Sequence, residues 1–190
     1  MFKESITKEE LTGLPLKRFE GEITVVDSNE KVRKAVDILS VQRVVGFDTE
    51  TRPSFKKGAV NKVSLLQLST HEQAFLFRIN KIGLPPEICN VLINSEIVKP
   101  GVAIRDDIKG LQKIHKFKPG GFIELQNYAR DLGILDFSLK KLTAIVCGFR
   151  ISKAQQLSNW ETETLTDAQI IYAATDAWAA FEIFKKFSTN

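Results

Sequence analysis

The sequence has 190 residues, 43% of them hydrophobic and 26% charged. That is the balance of a globular domain with a core of its own, and it excludes a disordered or fibrous chain. Lys and Arg exceed Asp and Glu by 27 to 23, a mild excess that permits a polyanionic partner without demanding one. The two cysteines, Cys89 and Cys147, are too few for a disulfide framework, and no apolar run reaches the length of a membrane span. An intracellular, soluble, cytoplasmic protein is expected, nuclear if its source is a eukaryote.

Residues 1–21 lack periodicity and carry Gly13, Pro15 and Gly21, so they read as an extended, loosely packed arm ahead of a single domain spanning 22–190. EITVV at 22–26 reads as a strand, and Asp27 or Ser28 caps a helix to about Ser40 with Val32, Val36 and Leu39 on its buried side. Arg43 to Phe47 is short and rich in β-branched and aromatic residues, which predicts a buried strand. Residues 62–70 and 73–79 form an antiparallel pair joined at His71 and Glu72. Thereafter strands and helices alternate. LPPEICNVLIN opens with prolines suited to a helix entrance, EIVKPGVAI is a strand running into a turn, and a helix runs from Asp106 to Lys116. GGFIEL supplies a last strand, followed by helices near Leu125–Leu132, from Ser138 to Cys147 with Gly148 as its stop, and after Thr166. A meander followed by alternation implies an α/β fold with a mixed sheet covered by helices.

The chemistry is concentrated in acids. Asp48 and Glu50 follow the strand of VVGFDTET at i and i+2, so both project from one face of it. Two anions about 4 Å apart repel by about 1 kcal/mol in water and about 4 kcal/mol at an effective dielectric of 20, so a cation belongs between them, either a lysine or a metal ion. In TDAQIIYAATDAWAAFEIF, Thr166 and Gln169 form a capping box that fixes the helix start. Tyr172 and Asp176 then fall one turn apart, flanked by Ala173, Ala179 and Ala180, which let the helix approach a sheet closely. In VAIRDDIKGLQKI, Asp107 aligns with Leu111 and Ile114 on the inward side while Asp106 points elsewhere. Each of these acids alone has an ordinary explanation: a solvated pair after a strand, a surface Tyr–Asp pair, a carboxylate favoured by a helix N-terminus. Their conjunction and order are what carry information.

That order resembles the DEDD-type 3′-5′ exonucleases of the subgroup with tyrosine. GFDTETRPSFKKG and NKVSLLQLST are similar to the first segment of Werner-syndrome-type exonuclease domains, and KAQQLSNWETETLTDAQIIYAATDAWA to the closing segment shared with the ribonuclease D group. Thr51 departs from the pattern, since relatives often carry an aromatic residue there that packs near the terminal base. The resemblance implies an RNase H-like fold and a divalent cation between Asp48 and Glu50. It further implies two ions, Mg²⁺ or Mn²⁺, held by Asp48, Glu50, Asp107 and Asp176, with Tyr172 orienting the attacking water. The implied partner is nucleic acid with a free 3′ end, DNA favoured over RNA, with any unwinding done by a separate helicase. An RNA-trimming enzyme of the same fold and a catalytically silent binding module are the alternatives.

Lys56, Lys57 and Lys62 after the first motif, and Lys109, Lys113 and Lys116 at helical spacing, are candidate phosphate contacts, although solvated faces look the same. Trp160 is expected to pack in the core rather than stack on a base, with Ser158 and Asn159 capping the turn before the last helix. His71 and His115 have no metal-ligand spacing.

Overall fold

The computed structural model describes residues 2–53 and 62–189. Its frame is a sheet of β1 (Glu22–Val26), β2 (Gly46–Thr51), β3 (Val63–Ser69) and β4 (Gln73–Phe77) in the order β1-β4-β3-β2. β3 is buried at every position, as a central strand covered on both faces must be. It pairs antiparallel with β2 and β4, whereas β1 runs parallel to β4. The β3–β4 turn is held by Thr70, whose hydroxyl accepts from the Glu72 and Gln73 amides at 3.2 and 3.0 Å.

A parallel pair, β5 (Lys99–Gly101) and β6 (Phe122–Glu124), joins the frame through a bridge between Val44 and Val98. The expected strand at 43–47 is therefore displaced. Residues 43–45 have one bridge as their partner, with Val45 N donating to Val98 O at 2.9 Å, and the regular ladder starts at Gly46. Asp48 and Glu50 thus lie inside β2 rather than beyond its end.

One layer against the sheet contains α2 (Asn29–Leu39), α3 (Ile79–Ile82), α4 (Pro86–Ile93) and α5 (Arg105–Gln112), around a core that includes Val32, Leu39, Phe47, Leu66 and Leu92. Ser28 caps α2, while Asp27 pairs with Lys31 at 2.9 Å. Lys99 is fully buried in this region. Its ammonium donates to Asn94 O at 2.8 Å and Ile97 O at 2.5 Å, yet burial still pushes its pKa down to about 8.

α6 (Leu125–Asp131) and α7 (Leu139–Leu142) follow β6, and a π turn, Thr143–Cys147, ends at Gly148 with φ 73°. The opposite face of the sheet carries the 22-residue α8 (Asp167–Ser188), which begins at the expected Thr166–Gln169 capping box. α8 reaches β2 because both contact surfaces are small. Ala173, Ala177 and Ala180 are buried, and a Cβ on Gly46 would sit 1.9 Å from the Ala177 carbonyl oxygen.

The arm does not pack loosely. It contains α1 (Lys8–Gly13) with its own Thr7–Glu10 capping box, and Ile6 and Phe19 are buried. The Phe19 amide donates to Thr175 Oγ1 of α8 at 3.0 Å, and Leu16 bridges to Arg150. Isolated apolar residues in a polar segment gave no period, yet each finds a separate socket in the domain.

Gly46→Ala has no flexible neighbour to displace, only helix backbone, and is expected to cost on the order of 3 kcal/mol in urea unfolding. Gly13→Ala, with nothing within 4 Å of the added methyl, is the control and is expected to shift the midpoint little.

Candidate active site

Alternation along β2 divides its residues between two layers. Asp48 and Glu50 face α8; Thr49 between them faces α5. From α8, Asp176 enters the same space, and one carboxylate oxygen from each of Asp48, Glu50 and Asp176 lies within 4.8 Å of the others. The ladder shifts register between Glu50 and Thr51, so regular pairing ends beside the cluster.

Asp107 sits in the first turn of α5, half-buried, and accepts a short hydrogen bond from the Thr49 hydroxyl. It stands beside the cluster of three and contributes to the field at Asp48. Asp106, next to it, points away and pairs with Lys109 at 3.2 Å. The approach to α5 is held by Glu124, whose carboxylate accepts from the Ala103 and Ile104 amides, both at 2.9 Å. Ala103 has φ 60°, a left-handed conformation costing an L-residue about 1–2 kcal/mol. The clamp fixes this strained residue on the wall of the cavity that Asp48, Glu50 and Asp176 line.

Tyr172 lies one turn before Asp176 and is 5% exposed. Its ring meets Trp160 at 5.9 Å between centroids. Trp160 is fully buried, as expected of a core residue, and buttresses the tyrosine. The segment bearing Trp160 is tied down by Arg78, which donates to Thr162 O at 2.5 Å and Glu163 O at 3.4 Å. Asn159 caps a local turn by accepting from the Glu161 amide at 3.1 Å, while the Ser158 hydroxyl donates to Gln155.

Lys153 was not anticipated. Its ammonium donates to Asp176 Oδ2 at 2.8 Å and lies 3.4 Å from the Tyr172 hydroxyl. The sequence asked for a cation among the acids but held no periodic signal for which lysine would supply it. Thr49 was also passed over, although alternation alone places it opposite Asp48.

Asp48, Glu50, Asp176, Tyr172 and Lys153 line a cavity of about 490 Å³ with Val102, Gln126 and Phe137, and Asp107 stands outside that lining, behind Thr49. A larger cavity, about 1010 Å³, lies on the other side of Tyr172, between the arm and α8, and none of the four candidate acids lines it. Lys109 and Lys113 are exposed on α5 and at its C-cap, outside the smaller cavity. Lys56 and Lys57 fall outside the described residues. His71 pairs with Glu182 at 2.8 Å.

The sequence matches the family model described as 3′-5′ exonuclease over residues 23–190. The chain belongs to the 3′-5′ exonuclease family. It is 36% identical over 154 residues to a mouse bifunctional 3′-5′ exonuclease/ATP-dependent helicase WRN, a match covering 78% of this chain and 11% of that protein. An Arabidopsis thaliana 3′-5′ exonuclease is 28% identical over 187 residues, covering 90% of this chain and 65% of the relative. The chain therefore spans less than two thirds of either relative. Among solved structures, the Aedes aegypti Nibbler EXO domain superposes with a TM-score of 0.82 at 23% identity, covering 91% of both chains. Escherichia coli RNase D gives 0.80 at 19% identity, covering 88% of this chain and 44% of that one. The fold is RNase H-like, as the motif order implied.

In this cluster the acids resist carrying full charge. Burial, then the charges of Asp176 and Asp107, hold Asp48 well above the usual carboxylate range, against the pull of Lys153. Burial and then Asp48 push Glu50 up to about 10. Burial raises Asp176 despite Lys153, and raises Asp107 despite the Thr49 bond. One lysine is thus too little positive charge for the cluster. Among the described residues, buried Asp176 Oδ1 has no hydrogen-bond partner, and an all-oxygen donor set suits a hard divalent cation. These residues fit the metal that the family implies.

Linkage gives the sign of a test. Glu50 keeps its proton in the folded state to about pH 10 and releases it near 4.5 when unfolded. Between those values the folded state binds more protons, so stability is lost as pH rises. From pH 5.5 to 7.5, below the Lys99 transition near 8, protein in EDTA is expected to lose on the order of 1 kcal/mol per pH unit through Glu50. Thermal unfolding should show this slope, and Mn²⁺ should flatten it; a flat profile in EDTA would mean that the acids are already compensated.

Proposed function

We propose that this protein hydrolyses phosphodiester bonds from the 3′ end of a nucleic acid strand, releasing nucleoside 5′-monophosphates with two divalent cations, Mg²⁺ or Mn²⁺. The observation that carries the proposal is the meeting of Asp48, Glu50 and Asp176 within 4.8 Å, with Tyr172 one turn away and Asp107 alongside. A silent binding module on this fold would have no use for so costly a cluster of buried acids.

Bound cations supply Lewis acidity on both sides of the scissile phosphate and make water a competent nucleophile near neutral pH. Asp48, Glu50 and Asp176 would hold the tighter ion, Asp48 would also serve the second, and Asp107 would complete that one, directly or through water. Thr49 and the Glu124 clamp set the approach of Asp107. Burial and the neighbouring acids raise the pKa of Tyr172, so its phenol stays protonated. Its role is then to orient the attacking water by hydrogen bonding rather than to remove a proton.

DNA is the favoured substrate, because the first motif segment is similar to that of the Werner-type group; unwinding would fall to a separate helicase. RNA is the second reading. A trypanosome RNase D of the same fold has been solved in complex with RNA U12. Exposed Lys109 and Lys113 are proposed phosphate contacts, as are Lys56 and Lys57.

Asp48→Asn and Asp176→Asn are expected to lower release of a 3′-labelled nucleotide by at least about a thousandfold while the far-ultraviolet spectrum is retained. Tyr172→Phe should reduce kcat by about ten- to a hundredfold with little change in KM. Matched DNA and RNA strands, single and double, identify the substrate; undiminished activity in Asp48→Asn would refute the proposal. Replacing Lys109 or Lys113 by Ala should each reduce the slope of log affinity against log salt by about one unit, and an unchanged slope would remove them from the binding face.

A further inference from the structure

Lys153 reaches the acids from a segment with neither helix nor regular strand, between Ile151 and the start of α8. Its side chain is 28% exposed while that of Asp176 is 3% exposed. The ammonium lies over the Tyr172 ring, 5.4 Å from its centroid, and donates to the Asp176 oxygen turned toward it, Oδ2. The segment is also the partition between two cavities. Lys153 and Gln156 line the smaller one with the acids, while Ser152, Ala154 and Gln155 line the larger.

A divalent ion between Asp48, Glu50 and Asp176 would stand about 2.0–2.1 Å from its carboxylate oxygens if it were Mg²⁺. An ammonium already 2.8 Å from Asp176 Oδ2 would then lie within a few ångströms of that ion. A single and a double positive charge at such range repel strongly. The lysine is tethered through a segment that owes nothing to a strand ladder, so it can withdraw while β2 and α8 keep their places.

We infer that Lys153 is a built-in counter-cation of the metal-free site, a positioning residue that holds Asp176 before metal arrives and gives up that carboxylate when a divalent ion binds. The inference rests on the metal-dependent reading of the site. Ammonium and metal compete for one carboxylate, so the lysine stabilises the empty site and weakens metal binding.

Calorimetric titration of Mn²⁺ into stripped wild-type protein, Lys153→Met, Lys153→Arg and Asp48→Asn tests this without measuring activity. Lys153→Met is expected to bind Mn²⁺ about tenfold tighter, the scale of one partly buried ion pair, and Lys153→Arg to resemble wild type. The metal-free Lys153→Met protein should melt several degrees lower, with Mn²⁺ restoring the difference. Equal or weaker Mn²⁺ binding by Lys153→Met overturns the inference, since the lysine would then belong to the loaded site. Identical binding by wild type and Asp48→Asn would instead overturn the metal reading itself. In wild-type protein, where folding of a variant is not at issue, acetylation of Lys153 by an amine-reactive probe should rise several-fold on adding Mn²⁺. Unchanged labelling contradicts release.

Discussion

The contact on which the rest depends is the seating of α8 on β2. It forces Asp176 against Asp48 and Glu50, groups that would repel by about 4 kcal/mol per ionised pair at about 4 Å with an effective dielectric of 20. Burial raises the pKa of all three, and this crowding raises Asp48 and Glu50 further. What opposes that repulsion is apolar burial along the same helix. Ala173, Ala177, Ala180, Ile183 and Phe187 are all buried, and each apolar side chain removed from water contributes at about 25 cal/mol per Å². The helix can collect this stabilisation only at a spacing that Gly46 permits, because any side chain there meets the Ala177 carbonyl. The glycine two residues before Asp48 is therefore part of the site. It sets how closely the carboxylates are held, and hence how strongly the site calls for cations.

The same strand organises both halves of the cluster. Side chains of successive β2 residues leave on opposite faces, so three residues, Asp48, Thr49 and Glu50, address α8 and α5 at once. Thr49 carries no charge, but its hydroxyl ties Asp107 to the strand that holds the other acids. Glu124, at the end of β6, performs a second restraint by gripping the backbone ahead of α5. Strain at Ala103 is retained at the wall of the acid cavity, where the Glu124 clamp holds the backbone that leads into α5.

Much of this frame was legible in the sequence because its causes are local. The Thr166–Gln169 capping box, the turn at His71 and Glu72, the stop at Gly148 and the period-two spacing of Asp48 and Glu50 each act within a few residues. The features that were missed act at long range. Phe19 finds Thr175 across 156 residues and Arg78 finds Thr162 across 84, and no window of sequence contains both members of either pair. The start of the opening strand was misplaced for the same reason. Val44 and Val45 have strand composition, but what they lack is a continuous ladder, since their pairing is the single bridge to Val98, just ahead of the three-residue β5. Lys153 escaped notice because lysines are abundant and only the closed fold singles out one.

Tyr172 shows why a neutral group belongs at the heart of so acidic a site. A fifth carboxylate in its place would add another repulsive partner to Asp176 and Glu50, whose charges already act on the phenol. A histidine would supply a proton acceptor but would be drawn toward its charged form by the same acids, joining Lys153 as a competing cation. A phenol with a raised pKa keeps its O–H, offers one donor and acceptor, and leaves the net charge unchanged. Its position is settled by carbon contacts instead. Trp160 packs against the ring from within the core, and Arg78 locks the segment that carries Trp160. Orientation of the hydroxyl is thus maintained by packing that does not depend on the ionisation state of the acids around it, so the group that would aim the water stays in place whether or not cations are bound.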